Sequence, residues 1–308
     1  MKILLFILTI VFFIAISEAQ GRIDSSWVGD IKITADRDLS TKNKKTIICF
    51  FALPNGNSTE WTMGKKMEAG DNWHFDIQHI RAQTEFIRSK WQRKNFIVIY
   101  LENKQKSWPA WKQQHTDFKT RLPFLIDSIS LALGGKNRVV YLNGHSGGGS
   151  LIFGYLSGVE RIPSYIKRIS FIDSDYGYDS SYYSKLSDWL KNKTNVITVF
   201  AYNDSVALYN GKPVVSAMGG TWYRSRLMLS HLEKDWSFHH SETDSILIHI
   251  SDNKKIHFYL KKNIDQGIYH TQQVELNGFI HSILCGTKKD SKGYLYYGSR
   301  AYNAFIVE

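Results

Sequence analysis

The sequence is short of cysteine. Two residues, Cys49 and Cys285, in a chain of 308 cannot build the bridge framework on which small secreted folds depend. Cys49 lies inside the apolar run TIICFFALP at 46–54, where a buried free thiol is the expected state, although a single bridge stays open in an oxidising compartment. Proline is scarce too, five in all, and no hinge, repeat or low-complexity linker divides the chain. Acidic residues are outnumbered, 28 against 39 Lys and Arg, for a net charge of +11. The lysines are scattered, with only short runs such as KNKK at 42–45, and no nucleic-acid motif accompanies them. Solubility accounts for the charge, and no nucleic-acid partner is expected. H-E-x-x-H and paired cysteines are missing, so neither a metal nor an organic cofactor is expected.

Long apolar runs are missing beyond the N-terminus. The run Ile3 to Ile16 follows Lys2, and Ser17-Glu18-Ala19 places small residues at the −3 and −1 positions of a cleavage site. It is a poor membrane span. We expect residues 1–19 to be a cleaved export signal, and residues 20–308 to form one domain, secreted or periplasmic, with no stable membrane insertion.

Strand-like and helix-like stretches alternate. Strands are predicted at 46–53, 95–102, 139–142, 166–173, 195–204 and 255–262. Helices are predicted at 75–92, 117–133, 181–192 and 222–236. The segment 279–286 opens the last turn of structure, and DIKITADRD, from Asp30, suits an antiparallel edge. The alternation implies an α/β fold with a mostly parallel sheet and right-handed crossovers. Its central strands are continuous apolar runs, as burial on both faces demands.

One of these strands breaks off into glycine. VVYLNGHSGGGSLIFGYLSG at 139–158 reads as strand, tight turn, helix, with Ser146 on the turn. Gly144-His145-Ser146-Gly147-Gly148 fits G-x-S-x-G, the nucleophile elbow, in the context that motif requires. A glycine-rich phosphate loop is the lesser reading, because the Walker lysine and the G-x-G-x-x-G spacing are missing. On this motif and the order of elements around it, the chain resembles the α/β-hydrolase superfamily over most of its length.

A serine hydroxyl needs a base, and the base a carboxylate to orient it. The resemblance implies the chain order serine, acid, histidine. It points to His281 as base, with His270 as second choice. His239 and His240 are read as surface residues and His257 as a satisfied strand residue, and the His145 side chain is expected to turn away from the site. Asp204, after the strand in the seventh place, is the expected acid. Asp173, after the preceding strand, is the alternative, with Asp175 close behind. For the oxyanion the resemblance implies the Gly147 N–H and a donor from Pro54-Asn55-Gly56-Asn57, expected at Asn57, each worth about 2.7–4 kcal/mol in the transition state. Asn57-Ser58-Thr59 also spells a glycan acceptor, expected to stay unused.

Aromatic residues are plentiful, 9 Trp and 17 Tyr, and Trp61, Trp73, Trp108 and Trp111 fall in loop-like sequence. Trp61 and Trp108 are expected to touch substrate. The reading is a serine hydrolase acting on an ester, an acyl group on a glycan among the candidates, with a small or polymeric acyl ester as its partner. A serine peptidase shares all this machinery, and a binding protein that kept the fold without the activity is the rival from another class.

Overall fold

The computed structural model of the chain describes residues 23–37 and 45–307, so the expected export signal lies outside the described residues. The strands there are β1 (Ile23–Val28), β2 (Ile31–Asp36), β3 (Lys45–Ala52), β4 (Lys94–Asn103), β5 (Val139–His145), β6 (Ile166–Ile172), β7 (Val196–Tyr202), β8 (Leu208–Tyr209), β9 (Lys212–Pro213), β10 (Phe238–Glu242), β11 (Ile246–Ser251) and β12 (Ile256–Lys261). Ten of them form one sheet in the order β1-β2-β4-β3-β5-β6-β7-β12-β11-β10, while β8 and β9 pair apart as a small hairpin. The centre, from β4 through β12, is parallel. Antiparallel pairs close both edges.

β3 shows why the centre is parallel. Ile48, Phe50 and Ala52 enter the core on one face, and Ile47, Cys49, Phe51 and Leu53 enter the core on the other. A strand apolar on both sides has to be covered twice, and only helical crossovers do that. The helices Phe118–Gly134 and Gly149–Gly158 contribute to the first core. Ile80–Lys90 and Gly278–Leu284 contribute to the second.

Several segments depart from the expectations, three of them near the site or at the sheet edge. Residues 238–251, given no element, form β10 and β11. β10 is almost wholly exposed, so it carries no alternating apolar pattern, and it is held to β11 by antiparallel backbone pairing and a contact between the His240 and His249 rings. Residues 108–114, read as loop, form a helix that starts on Ser107, whose hydroxyl accepts from the Ala110 N–H. Residues 278–284 also form a helix, entered through Asn277 at φ 66°. Cys49 and Cys285 are both free and buried.

The turn after β5 is where the strand ends crowd together. A Cβ on Gly148 would stand 2.2 Å from the Ala52 carbonyl oxygen, and one on Gly149 would stand 1.7 Å from that of Ser174. Glycine is required at both because backbone from β3 and from the loop after β6 occupies the side-chain position. Gly149→Ala is therefore expected to cost about 3 kcal/mol, the upper range for overpacking, read as a lower urea midpoint at unchanged slope.

Candidate active site

Two residues on this rim hold a backbone conformation that side chains resist. Ser146, directly after β5, has φ 54°, and Asp173, directly after the neighbouring β6, has φ 45°. Left-handed backbone in a non-glycine residue costs roughly 1–3 kcal/mol and gathers where a side chain must be aimed. Asp173 is locked in place by its N–H, which donates to the Phe200 carbonyl at 2.7 Å.

The Asp173 carboxylate is fully enclosed, and both its oxygens are used. Oδ2 accepts from Nδ1 of His270, and Oδ1 accepts from the hydroxyl of Thr221. His270 belongs to the segment between β12 and the next helix, and its side chain is 24% exposed. Donation from Nδ1 puts the free lone pair of the ring on Nε2. His145 steadies the same segment from the elbow itself. Its Nε2 lies 3.1 Å from the His270 carbonyl, and the two rings pack 4.6 Å apart. Burial, with the nearby His270, drives the His145 pKa well below the ordinary histidine value. A neutral His145 ring with its proton on Nε2 satisfies that bond.

The other expected residues lie elsewhere, which corrects several assignments. His281 sits in the helix Gly278–Leu284, its ring packed against Phe200, Tyr259, Tyr294 and Tyr296. Its Nδ1 is 3.0 Å from the Tyr294 hydroxyl, and burial pushes its pKa down to about 3. It faces the second core rather than the strand ends. Asp204, the expected acid, does not meet the histidine that Asp173 holds. It accepts from the N–H of Thr221 at 2.8 Å and of Trp222 at 3.4 Å, capping the helix Thr221–Leu232. Burial first, and the Asp173 charge second, raise the Asp204 pKa to about 6. Asp175 accepts from Ser225 at 2.9 Å, and burial lifts its pKa well above the carboxylate range.

Trp108 is 1% exposed and stands in the core, so it is removed from any ligand. Trp61 is half-buried and stacks on His74, which stacks in turn on Trp73, 63% exposed. Asn57, the expected second oxyanion donor, turns back on its own loop, with its N–H 3.4 Å from the Pro54 carbonyl. Asn55 is the residue of this loop that lies against Gly147. Its side chain lies so close over Gly147 that a Cβ there would be 2.0 Å from Oδ1.

Ser146, Gly147 and Asn55 open on a cleft of about 440 Å³, lined also by Lys112, Ser174 and Tyr176. Two depressions of about 500 Å³, one at Glu160–Arg161 and Trp189, the other at Lys90–Lys94 and Lys289, lie away from these residues. Among the described residues no His, Cys, Asp or Glu cluster suited to a metal ion is found, and no helix is long and apolar enough to cross a membrane.

No protein-family model matches the chain, and no curated protein matches it either. Among solved structures it is similar to a thermostable esterase, with a TM-score of 0.51 and 14% identity, over 85% of this chain and 61% of that one. It is also similar to a feruloyl esterase module from Clostridium thermocellum, with a TM-score of 0.47 and 10% identity, over 85% of this chain and 89% of that one. An acetyl xylan esterase from Aspergillus awamori gives a TM-score of 0.46 and 11% identity, over 84% and 100%. The chain thus spans about three fifths of the thermostable esterase. At such identities the likeness speaks for the fold alone, and it accompanies the mostly parallel sheet described above. The chain is an α/β-hydrolase-fold protein.

Proposed function

We propose that this protein is a serine hydrolase of carboxylic esters, with Ser146 as nucleophile, His270 as general base and Asp173 as the orienting acid. The hydrogen bond from His270 to the buried Asp173, on the same rim as the strained Ser146, carries this reading. Ser146 Oγ attacks the ester carbonyl as His270 Nε2 takes its proton. The C–O bond to the alcohol then breaks, and the same proton passes to the departing oxygen. Water, deprotonated by His270, attacks the acyl-enzyme, and the acid leaves with Ser146 restored. The Gly147 N–H and Asn55 face the developing oxyanion. Thr221 and His145 are positioning residues, the first fixing the carboxylate and the second the backbone of the base.

The stacked rings of Trp61, His74 and Trp73, on the segment that follows Asn55, favour a sugar ring on the substrate. An acyl ester of a glycan is the substrate class this supports. We read the site of action as outside the cytoplasm, after loss of residues 1–19. N-terminal sequencing of exported protein is expected to begin at Gln20, and a start at Met1 overturns the export reading.

A fluorophosphonate probe is expected to label the protein at Ser146 and to leave Ser146→Ala unlabelled. On 4-nitrophenyl acetate, Asp173→Asn and His270→Ala are expected to lower kcat by roughly 10⁴-fold. Asp204→Asn and His281→Ala should stay within about tenfold of the wild type, taken as the bound for residues that touch no reacting atom. Equal loss in Asp204→Asn and Asp173→Asn overturns the choice of acid.

Asp204 makes a second prediction, on stability. Its folded pKa of about 6 lies above the ordinary 3.8, so the folded state binds its proton more tightly than the unfolded chain. Its ionisation therefore removes stability as pH rises through that window. Asp204→Asn should gain more stability relative to wild type at pH 8 than at pH 4, measured by urea unfolding at both.

A further inference from the structure

Among the described residues, Lys112 is the one lining residue of the Ser146 cleft that carries a formal charge at neutral pH. It stands on the helix Trp108–Gln114, which is firmly set. Trp108 and Trp111 bury one side of it. Trp111 Nε1 donates to Asp30 Oδ2 at 2.5 Å, His115 Nε2 lies 2.7 Å from the same oxygen, and Arg121 pairs with Oδ1 at 2.8 Å. The lysine is half-buried, and its ammonium lies 5.5 Å from the centre of the Phe118 ring. Among other half-buried lysines, Lys32 meets Glu60 at 2.5 Å, Lys65 meets Asp71 at 2.7 Å and Lys262 meets Glu242 at 2.5 Å, while Lys185 donates to the Leu156 carbonyl at 2.6 Å and Lys167 to Asn195 Oδ1 at 3.4 Å. Among the described residues no carboxylate is paired with Lys112. Burial lowers its pKa, the direction expected of a cation losing water without a counter-charge.

A cation in that position gains most from an anion brought by the ligand, because the cleft walls exclude part of the competing water. We propose that the cleft takes esters carrying a carboxylate group, held through an ion pair with Lys112. The inference rests on the serine-hydrolase reading and names its substrate class. Lys112 is then a specificity residue, binding the charged end of the substrate while Ser146 works on the ester.

Two matched ester pairs test this. 4-Acetoxybenzoate against 4-acetoxybenzamide places the charge on the alcohol side, and the mono-4-nitrophenyl ester of adipic acid against 4-nitrophenyl hexanoate places it on the acyl side. The anionic member of at least one pair should be favoured roughly tenfold or more in kcat/KM, the factor that about 1.4 kcal/mol of differential binding gives. Lys112→Met should cut that preference at least fivefold, mainly through KM, and Lys112→Glu should reverse it. Lys193→Met, an exposed change of equal charge, should leave the ratio alone. No preference in either pair, or one that survives Lys112→Met, overturns the proposal. Calorimetric binding of adipate and 4-hydroxybenzoate, which have no scissile bond, separates the two readings. If no ester is cleaved while binding still weakens at least fivefold in Lys112→Met, the serine reading fails and the anion site stands. If neither acid binds, or binding ignores Lys112, the anion site fails whatever Ser146 does.

Discussion

A fully buried carboxylate is tolerable only when its oxygens are answered, and the site is built around that requirement at Asp173. Its two partners come from distant parts of the chain: Thr221, the first residue of a helix, and His270, in the segment after β12. To bring both to the end of β6, the chain must complete β7, place the helix Thr221–Leu232 and return through β12. The neighbouring Asp204 serves the same end. It holds the first N–H groups of that helix, so the Thr221 hydroxyl is delivered to Asp173 in a fixed direction. One carboxylate orients the imidazole, and the other orients the residue that braces the first.

The segment carrying His270 is tied down at its far end as well. Arg168, a residue of β6, is buried, and it donates to the carbonyls of Ser282 and Cys285 and to the Cys285 sulfur. These carbonyls lie at the C-terminal end of the helix Gly278–Leu284, where a guanidinium satisfies oxygens that the helix leaves open. Gln83 holds the approach to that helix by donating to the Val274 carbonyl and accepting from the Ile280 N–H. The loop is thus bounded by a strand on one side and a pinned helix on the other.

The sheet and the turn that carries Ser146 were the legible parts, and for a physical reason. Both rest on local signals: continuous apolar strands, alternating helices, and glycines where backbones meet. The choice of base was harder to read. FIHSILCG looks like a loop when taken alone, yet Phe279, Ile280, Ile283 and Leu284 recur at the spacing of one helix face. That reading moves His281 into the core and leaves His270, nearer the end of β12, as the candidate. The acid could not be ranked from sequence, because two adjacent strands each end in an aspartate and only tertiary contact shows which meets the imidazole. Asn55 and Asn57 posed the same problem within one turn. Trp108 and Trp111 were misread as loop aromatics, although their spacing of three places both on one side of a short helix.

The added hairpin of β11 and β10 has its own consequence for solubility. A sheet must end somewhere, and a bare outer strand invites another chain to continue the ladder. Here the last strand is Phe238–Glu242, whose His239, His240, Ser241 and Glu242 are exposed, and His240 faces His249 across the ladder. A polar border of this kind is well hydrated and makes a poor template for a neighbour's backbone. The polar side chains along β10 thereby blunt this edge of the sheet.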